Sequence, residues 1–417
     1  MAANLPAYEI RELKNGLKIV AVVMKNGSEV MSVDLFYKVG SRNETMGMSG
    51  MAHMLEHLSF KSTKRLAAGE YDREIKKIGG VTNASTGFDY THYFVKTSAK
   101  NLRKPLELFA EMMTNLALKD DEFQTERQVV REERLWRTDN SPQGALFFAL
   151  FNNAFHYHPY HWTPIGFMGD IEGWKIEDIR AFYRKWYSPQ NAVLIASGDF
   201  DKEEFFAAAE KYFGGISNVG DPPKVAAIEP EQQGARRAIV KKESEVELLA
   251  IAWKIPPFGN EDSTALESLA AILSEGQASR LEETLADKLR LVNSIDAFAM
   301  ELNDSGLFVI IASCNANVQA ELVEKEILNV IAALQKKLPS DREVAKIKTL
   351  AKSSFIRSLE TSDGVSGIFG HYLSRGDLAP LLKYEENIEK LTARDITNAA
   401  KKYLIADKST TIILRSK

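Results

Sequence analysis

The sequence predicts an α+β protein made of two homologous α/β-sandwich domains, each a mixed sheet with helices packed on it. Three observations lead there. The chain has 417 residues, 45% of them hydrophobic, which is too long for one ordinary core and enough to bury two cores of about 200 residues each. Short runs rich in Val, Ile, Tyr and Phe alternate with longer stretches of helical periodicity. The order of these elements occurs twice, on either side of an aperiodic stretch rich in Gly, Pro, Asp and Gln. The expected division is 1–215, a linker at 216–237, and 238–417.

In the first half, Tyr8–Leu13, Leu17–Val23 and Met31–Val39 read as strands, the first two joined by an Asn15-Gly16 turn. In Met51–Leu58, Met51, Met54, Leu55 and Leu58 fall at i, i+3, i+4 and i+7, an apolar helical stripe, with Ser49 as the expected N-cap. A helix over 68–78 should end at Gly79-Gly80, where a left-handed C-cap costs little. A β-rich segment, 81–96, precedes helices over 102–118 and 121–138, the second stopped by Asn140-Ser141-Pro142. A helix at 176–186, a strand at 191–198 and a helix at 202–213 close the half. After the linker the order returns: strand 246–253, helix 265–273, β-rich 291–298 and 307–314, helices 321–338, 341–359 and 396–403, and a last strand 409–414.

Composition narrows the function. A formal net charge of −4 with interspersed signs leaves no electrostatic footprint for nucleic acid. The single cysteine, Cys314, sits in an apolar run and reads as a core strand residue, so no disulfide framework forms within the chain. No apolar run is long enough to span a bilayer, and the first residues lack a basic start and an apolar core. A cytoplasmic location is expected, or a periplasmic one where a signal peptide has been removed.

Opposite the apolar stripe of 51–58 stand His53, Glu56 and His57. Two histidines four residues apart on a helix offer ring nitrogens to one metal ion, and Glu56 can reach a water bound to it. This is the order H-x-x-E-H. Two histidines hold zinc weakly, so a third protein ligand is needed. In the helix over 121–138, Glu126, Val129, Val130 and Glu133 share one face. Two carboxylates beside two valines on an inward face are costly unless a cation or donors await them. Glu132 and Arg131 point elsewhere. Solvent-exposed Glu126 and Glu133 paired with Lys or Arg would be the ordinary alternative for this helix taken alone.

With His53-x-x-Glu56-His57, Gly79-Gly80-Val-Thr-Asn83-Ala84-Ser-Thr86 and Glu126-Arg-Gln-Val-Val-Arg-Glu-Glu133 in hand, the chain resembles the pitrilysin, insulin-degrading enzyme and mitochondrial processing peptidase family of zinc metallopeptidases. Glu133 lies 76 residues beyond His57, which fits that family's distant glutamate ligand. The resemblance implies that His53, His57 and Glu133 bind zinc. It gives Glu56 and Glu126 catalytic roles, the first as general base toward a zinc-bound water, the second as a support behind the ligands. It places Asn83 and Ala84 on a strand edge that pairs with an extended peptide. The implied reaction is hydrolysis of an internal peptide bond.

One departure points to a partner. Members of the family that act alone or as homodimers carry, in the second half, an arginine and, seven residues later, a tyrosine. Here those positions hold Ala286 and Asn293, within Leu285-Ala-Asp-Lys-Leu-Arg-Leu-Val-Asn293. The resemblance therefore implies a homologous subunit that supplies the Arg/Tyr pair, with this chain as the zinc-bearing half of a heterodimer. The competing expectations are a non-catalytic scaffold or peptide-binding subunit of the same fold, or a purely structural zinc. Structural zinc has four protein ligands, whereas three ligands with Glu56 leave a position open. The tract His156-Tyr-His158-Pro-Tyr-His161 reads as an ordered loop rather than a second metal site, and His92 as structural or substrate-adjacent.

Overall fold

The computed structural model describes residues 5–25 and 27–416. The first half runs β1 (Ala7–Glu12), β2 (Lys18–Val23), β3 (Val30–Tyr37), α1 (Met51–Leu58), α2 (Glu70–Lys77), β4 (Val81–Thr86), β5 (Thr91–Ser98), α3 (Arg103–Asn115), α4 (Asp120–Arg134), α5 (Pro142–Ala154), α6 (Met168–Gly173), α7 (Ile176–Trp186), β6 (Ala192–Gly198) and α8 (Lys202–Phe213). Residues 216–235 hold no helix or strand. The second half runs β7 (Arg236–Lys241), β8 (Leu248–Ile255), α9 (Ser263–Ser274), β9 (Val292–Met300), β10 (Gly306–Cys314), α10 (Ala320–Lys336), α11 (Asp341–Ser358), α12 (Ser362–Leu373), α13 (Ala379–Lys390), α14 (Ala393–Tyr403) and β11 (Ser409–Arg415).

The sheets have the orders β1-β2-β6-β3-β5-β4 and β7-β11-β8-β10-β9. Setting β1 aside, the two have one topology. In each, the pair β2/β6 or β7/β11 is parallel and every other pairing is antiparallel. The fold is therefore α+β with two mixed sheets and helices on them, as expected. α1 packs on β4 in the first half as α9 packs on β9 in the second. β10 buries Cys314 completely.

The halves exchange helices. α5, from the first, lies on β7, β8 and β11; α12, from the second, lies on β3 and β6. Leu146, Leu150 and Phe151 of α5 share a core with Leu248, Ala250 and Ile412, while Val365, Phe369 and Leu373 of α12 share one with Val20, Phe36, Val193 and Ile195.

Several boundaries differ from expectation for physical reasons. Ser49 does not cap α1. The N-cap is Gly50, left-handed at φ 86°, and the open amides of Gly50 and Ala52 donate to the carboxylate of Glu44, both at 2.8 Å. Ser49 instead donates to Asp170 at 2.5 Å and accepts from the Phe167 amide. The helix expected to reach 138 is α-helical only to Arg134 and continues as a π-turn over 135–139. Val129 is 46% exposed, so the face shared by Glu126 and Glu133 buries Val130 alone of its two valines. β7 starts inside the expected linker.

Candidate metal centre and peptide cleft

α1 and α4 cross so that their polar faces meet. His53 Nε2 and His57 Nε2 are 3.3 Å apart, and Glu133 Oε2 lies 3.6 Å from the first and 3.3 Å from the second. Among the described residues, His53, His57 and Glu133 form the one group placed to hold a metal ion. Neighbouring ligands in a tetrahedral zinc shell, with bonds near 2.0–2.1 Å, stand about 3.3–3.4 Å apart. The residues fit the ion. The donor set, two imidazoles and one carboxylate, is also that of an open rather than a closed zinc site.

Each group is placed by its neighbours. His57 Nδ1–H donates to Glu126 Oε1 at 2.9 Å, and Lys61 Nζ holds Glu126 Oε2 at 2.6 Å. Glu126 thus touches His57 and also lines the cleft. Glu56 Oε2 accepts from Thr86 Oγ1, at the end of β4, at 2.5 Å. Arg137 Nε, on the π-turn, is 2.9 Å from Glu133 Oε1. Glu132 meets Arg131 and stays out of the cluster, but it lines the same cleft rather than pointing elsewhere as expected. His53 Nδ1 is buried with no partner among the described residues.

The electrostatics follow from these contacts. Burial and the neighbouring His57 lower His53 to about 4. At His57 burial is outweighed by the hydrogen bonds to Glu126 and Glu133, raising it to about 9. The hydrogen bond to His57 holds Glu133 below its ordinary value. A divalent cation held there would require both imidazoles to be neutral, and so would displace any proton they carry. Burial raises Glu56 above the usual carboxylate range despite its bond to Thr86, which makes it a better proton acceptor and carrier near neutral pH.

The cluster opens into a cleft of about 820 Å³ walled by α4 and β4. β4 is an edge strand, paired only with β5. Asn83 is exposed and Ala84 half-buried, both on the cleft wall. The Ala84 amide is held by the Asn83 side-chain oxygen at 2.9 Å.

The whole chain has recognisable relatives. A model of the insulinase family, peptidase family M16, matches residues 19–163, and a model of the M16 inactive domain matches residues 173–350. The chain belongs to peptidase family M16. It is 47% identical to the zinc protease PqqE of Helicobacter pylori over 99% of this chain and 93% of that one. It is 25% identical to mitochondrial cytochrome b-c1 complex subunit 1 of Bos taurus, over 96% of this chain and 84% of that one. The crystal structure of a protease from Helicobacter pylori superposes with a TM-score of 0.96 at 47% identity, over 99% of this chain and all of that one. This chain's relatives thus include both a named zinc protease and a named cytochrome b-c1 complex subunit.

Other expected residues lie elsewhere. Ala286 packs at the edge of the second core, and Asn293 is exposed on β9. His158 is buried and ion-paired with Asp304 at 2.9 Å, and His161 Nδ1 bonds the Phe155 carbonyl, so the histidine tract is an ordered loop. His92 pairs with Asp34 at 2.7 Å beneath Phe36. Lys61 and Arg137 were not singled out from the sequence. Arg137 stands four residues beyond Glu133, a spacing that would have flagged it as a helix-face partner, whereas Lys61 lies past the end of α1 and meets Glu126 across the fold, which no local spacing announces.

Proposed function

We propose that this chain is a zinc-dependent endopeptidase acting on peptides or unfolded segments bound in extended form. The observation that carries the reading is the convergence of His53, His57 and Glu133 on one point, open on a single side, beside a free strand edge and Glu56. Zinc bound there supplies a Lewis acid that polarises the scissile carbonyl and makes water acidic enough to react. The protein's own groups do the rest. β4 accepts the substrate backbone as an added strand, which orients it with little demand on sequence. Glu56 takes a proton from the attacking water as its oxygen bonds the carbonyl carbon, and delivers that proton to the amide nitrogen as the C–N bond breaks. Thr86 fixes the carboxylate that does this. Glu126, held by Lys61, keeps His57 turned so that Nε2 faces the metal.

Within this reading the chain is the catalytic member of a heterodimer, its partner a homologous subunit that supplies the arginine and tyrosine absent at Ala286 and Asn293. The alternative is a non-catalytic scaffold or peptide-binding subunit. It is favoured by the same absence and by the kinship to a cytochrome b-c1 complex subunit. The deciding experiment measures zinc content and peptidase activity of the purified chain, alone and with a candidate partner, beside Glu56→Gln. Activity that requires the partner and is lost in Glu56→Gln supports the split enzyme. Bound zinc without activity in any combination supports the scaffold.

A further inference from the structure

Arg137, like Glu132, is a charged side chain of the cleft that the reading above leaves without a role. Its Nε lies 2.9 Å from Glu133 Oε1, while Oε2 of the same carboxylate faces His53 and His57 at 3.6 and 3.3 Å. One oxygen is turned to the histidines and the other is turned away to a guanidinium. A glutamate free to rotate can offer both oxygens to a divalent cation, and the second would occupy the position that water needs.

The turn that carries Arg137 is built rather than frayed. The Asn140 amide donates to the Leu135 carbonyl at 2.6 Å, an i→i+5 bond. Buried Arg134 bonds Asp139 Oδ1 through Nε and Nη2 at 3.2 and 3.1 Å and lies over the Phe148 ring. Gly144 of α5 comes so near that a Cβ there would fall 1.9 Å from the Arg137 carbonyl oxygen. An ordinary exposed i,i+4 pair needs no such framing, whereas single π-turns inside helices recur at functional sites.

We propose that Arg137 is a positioning residue. By holding Oε1 of Glu133 it keeps that carboxylate monodentate toward a bound zinc, and so preserves the open fourth position. The inference rests on the zinc-site reading.

The test uses the full chain with Arg137→Met and Arg137→Lys, zinc affinity measured by competition with a chelator, and the visible absorption of the cobalt-substituted protein. In Arg137→Met, zinc affinity should rise, since the carboxylate gains a second contact to the ion and loses a neighbouring cation, and the cobalt bands should lose intensity as coordination number rises. Arg137→Lys, which keeps a cation within reach of Oε1, should return both most of the way to wild type. The melting point of the metal-free protein should not move, which separates the effect from folding. An Arg137→Met chain with affinity within about twofold of wild type and an unchanged cobalt spectrum would overturn the proposal while leaving the zinc site standing. A wild-type chain that binds no zinc would overturn the zinc reading and this inference with it.

Discussion

Gly370 gives the sharpest test of the helix exchange. It lies on α12, from the second half, against Phe36 on β3 of the first, and a Cβ there would stand 2.0 Å from Phe36 Cζ. Carbon atoms in contact sit at about 3.5–4.0 Å, so ring or helix must give by roughly 1.5 Å. The ring has little freedom. Phe36 is 1% exposed, stacked on His92 at 4.0 Å and met edge-on by Tyr90 at 5.6 Å. His92 is itself fixed to Asp34. The helix must therefore move, and it carries Val365, Phe369 and Leu373 with it. Overpacking of a tight core costs about 1–3 kcal/mol, and Gly370→Ala belongs at the upper end. Urea unfolding followed by circular dichroism would measure it. Phe36→Leu makes room for the added methyl, so in the double variant the Gly370→Ala penalty should shrink by at least about 1 kcal/mol, a coupling expected only of residues in contact. Strict additivity, or a Gly370→Ala chain within about 0.5 kcal/mol of wild type, would refute the tight exchange.

Two further predictions concern the linker and the site. The carboxylate of Glu229 accepts from the amides of His156, Tyr157 and His158 at 3.0, 2.9 and 3.0 Å and from Lys254 Nζ at 2.8 Å. Burial opposes ionisation, but these donors win and hold its pKa at about 2 against an ordinary 4.5. A pKa depressed on folding adds stability that is present above pH 4.5 and lost as pH falls through about 2, a difference of about 3 kcal/mol. Glu229→Gln should therefore be less stable by about that much at pH 7 and converge on wild type near pH 2 in urea titrations, and a gap independent of pH would count against the argument. Glu126→Gln keeps an acceptor for His57 Nδ1–H but loses the charge that Lys61 holds; zinc affinity by chelator competition should fall about 10- to 100-fold, and an unchanged affinity would mean that His57 is oriented by packing alone.

How much of this was legible in the sequence depended on the range of the interaction. His53, Glu56 and His57 declared themselves because one helix turn sets their geometry and the stripe Met51, Met54, Leu55, Leu58 fixes which side is free. Glu133 was legible for the same reason on its own helix, though only the fold brings it to the histidines. The cap of α1 was missed because Glu44 reaches it through space from six residues upstream, past a serine that local rules prefer. α5 was missed because Pro142–Ala154 is apolar on nearly every side. Periodicity finds a helix by its one dry face, and here Ala145, Phe147 and Ala149 put apolar side chains on the half-buried side as well, so no polar boundary marks the helix.

That helix also gives the second half a structural part in the His53, His57 and Glu133 cluster of the first. Glu126 and Glu133 stand on α4, and α4 runs through the π-turn directly into α5. α5 is seated on the other half's sheet, with Leu146, Leu150 and Phe151 buried there, and its Gly144 bears on the Arg137 carbonyl. The helix that presents Glu133 thus runs at its C-terminal end into a helix seated on the second half, while α12 of that half backs β3 and β6 of the first sheet. Ligand atoms set 3.3–3.6 Å apart tolerate little drift before the site no longer matches one ion. The second half bears on α4 through α5, by an apolar face of matching shape.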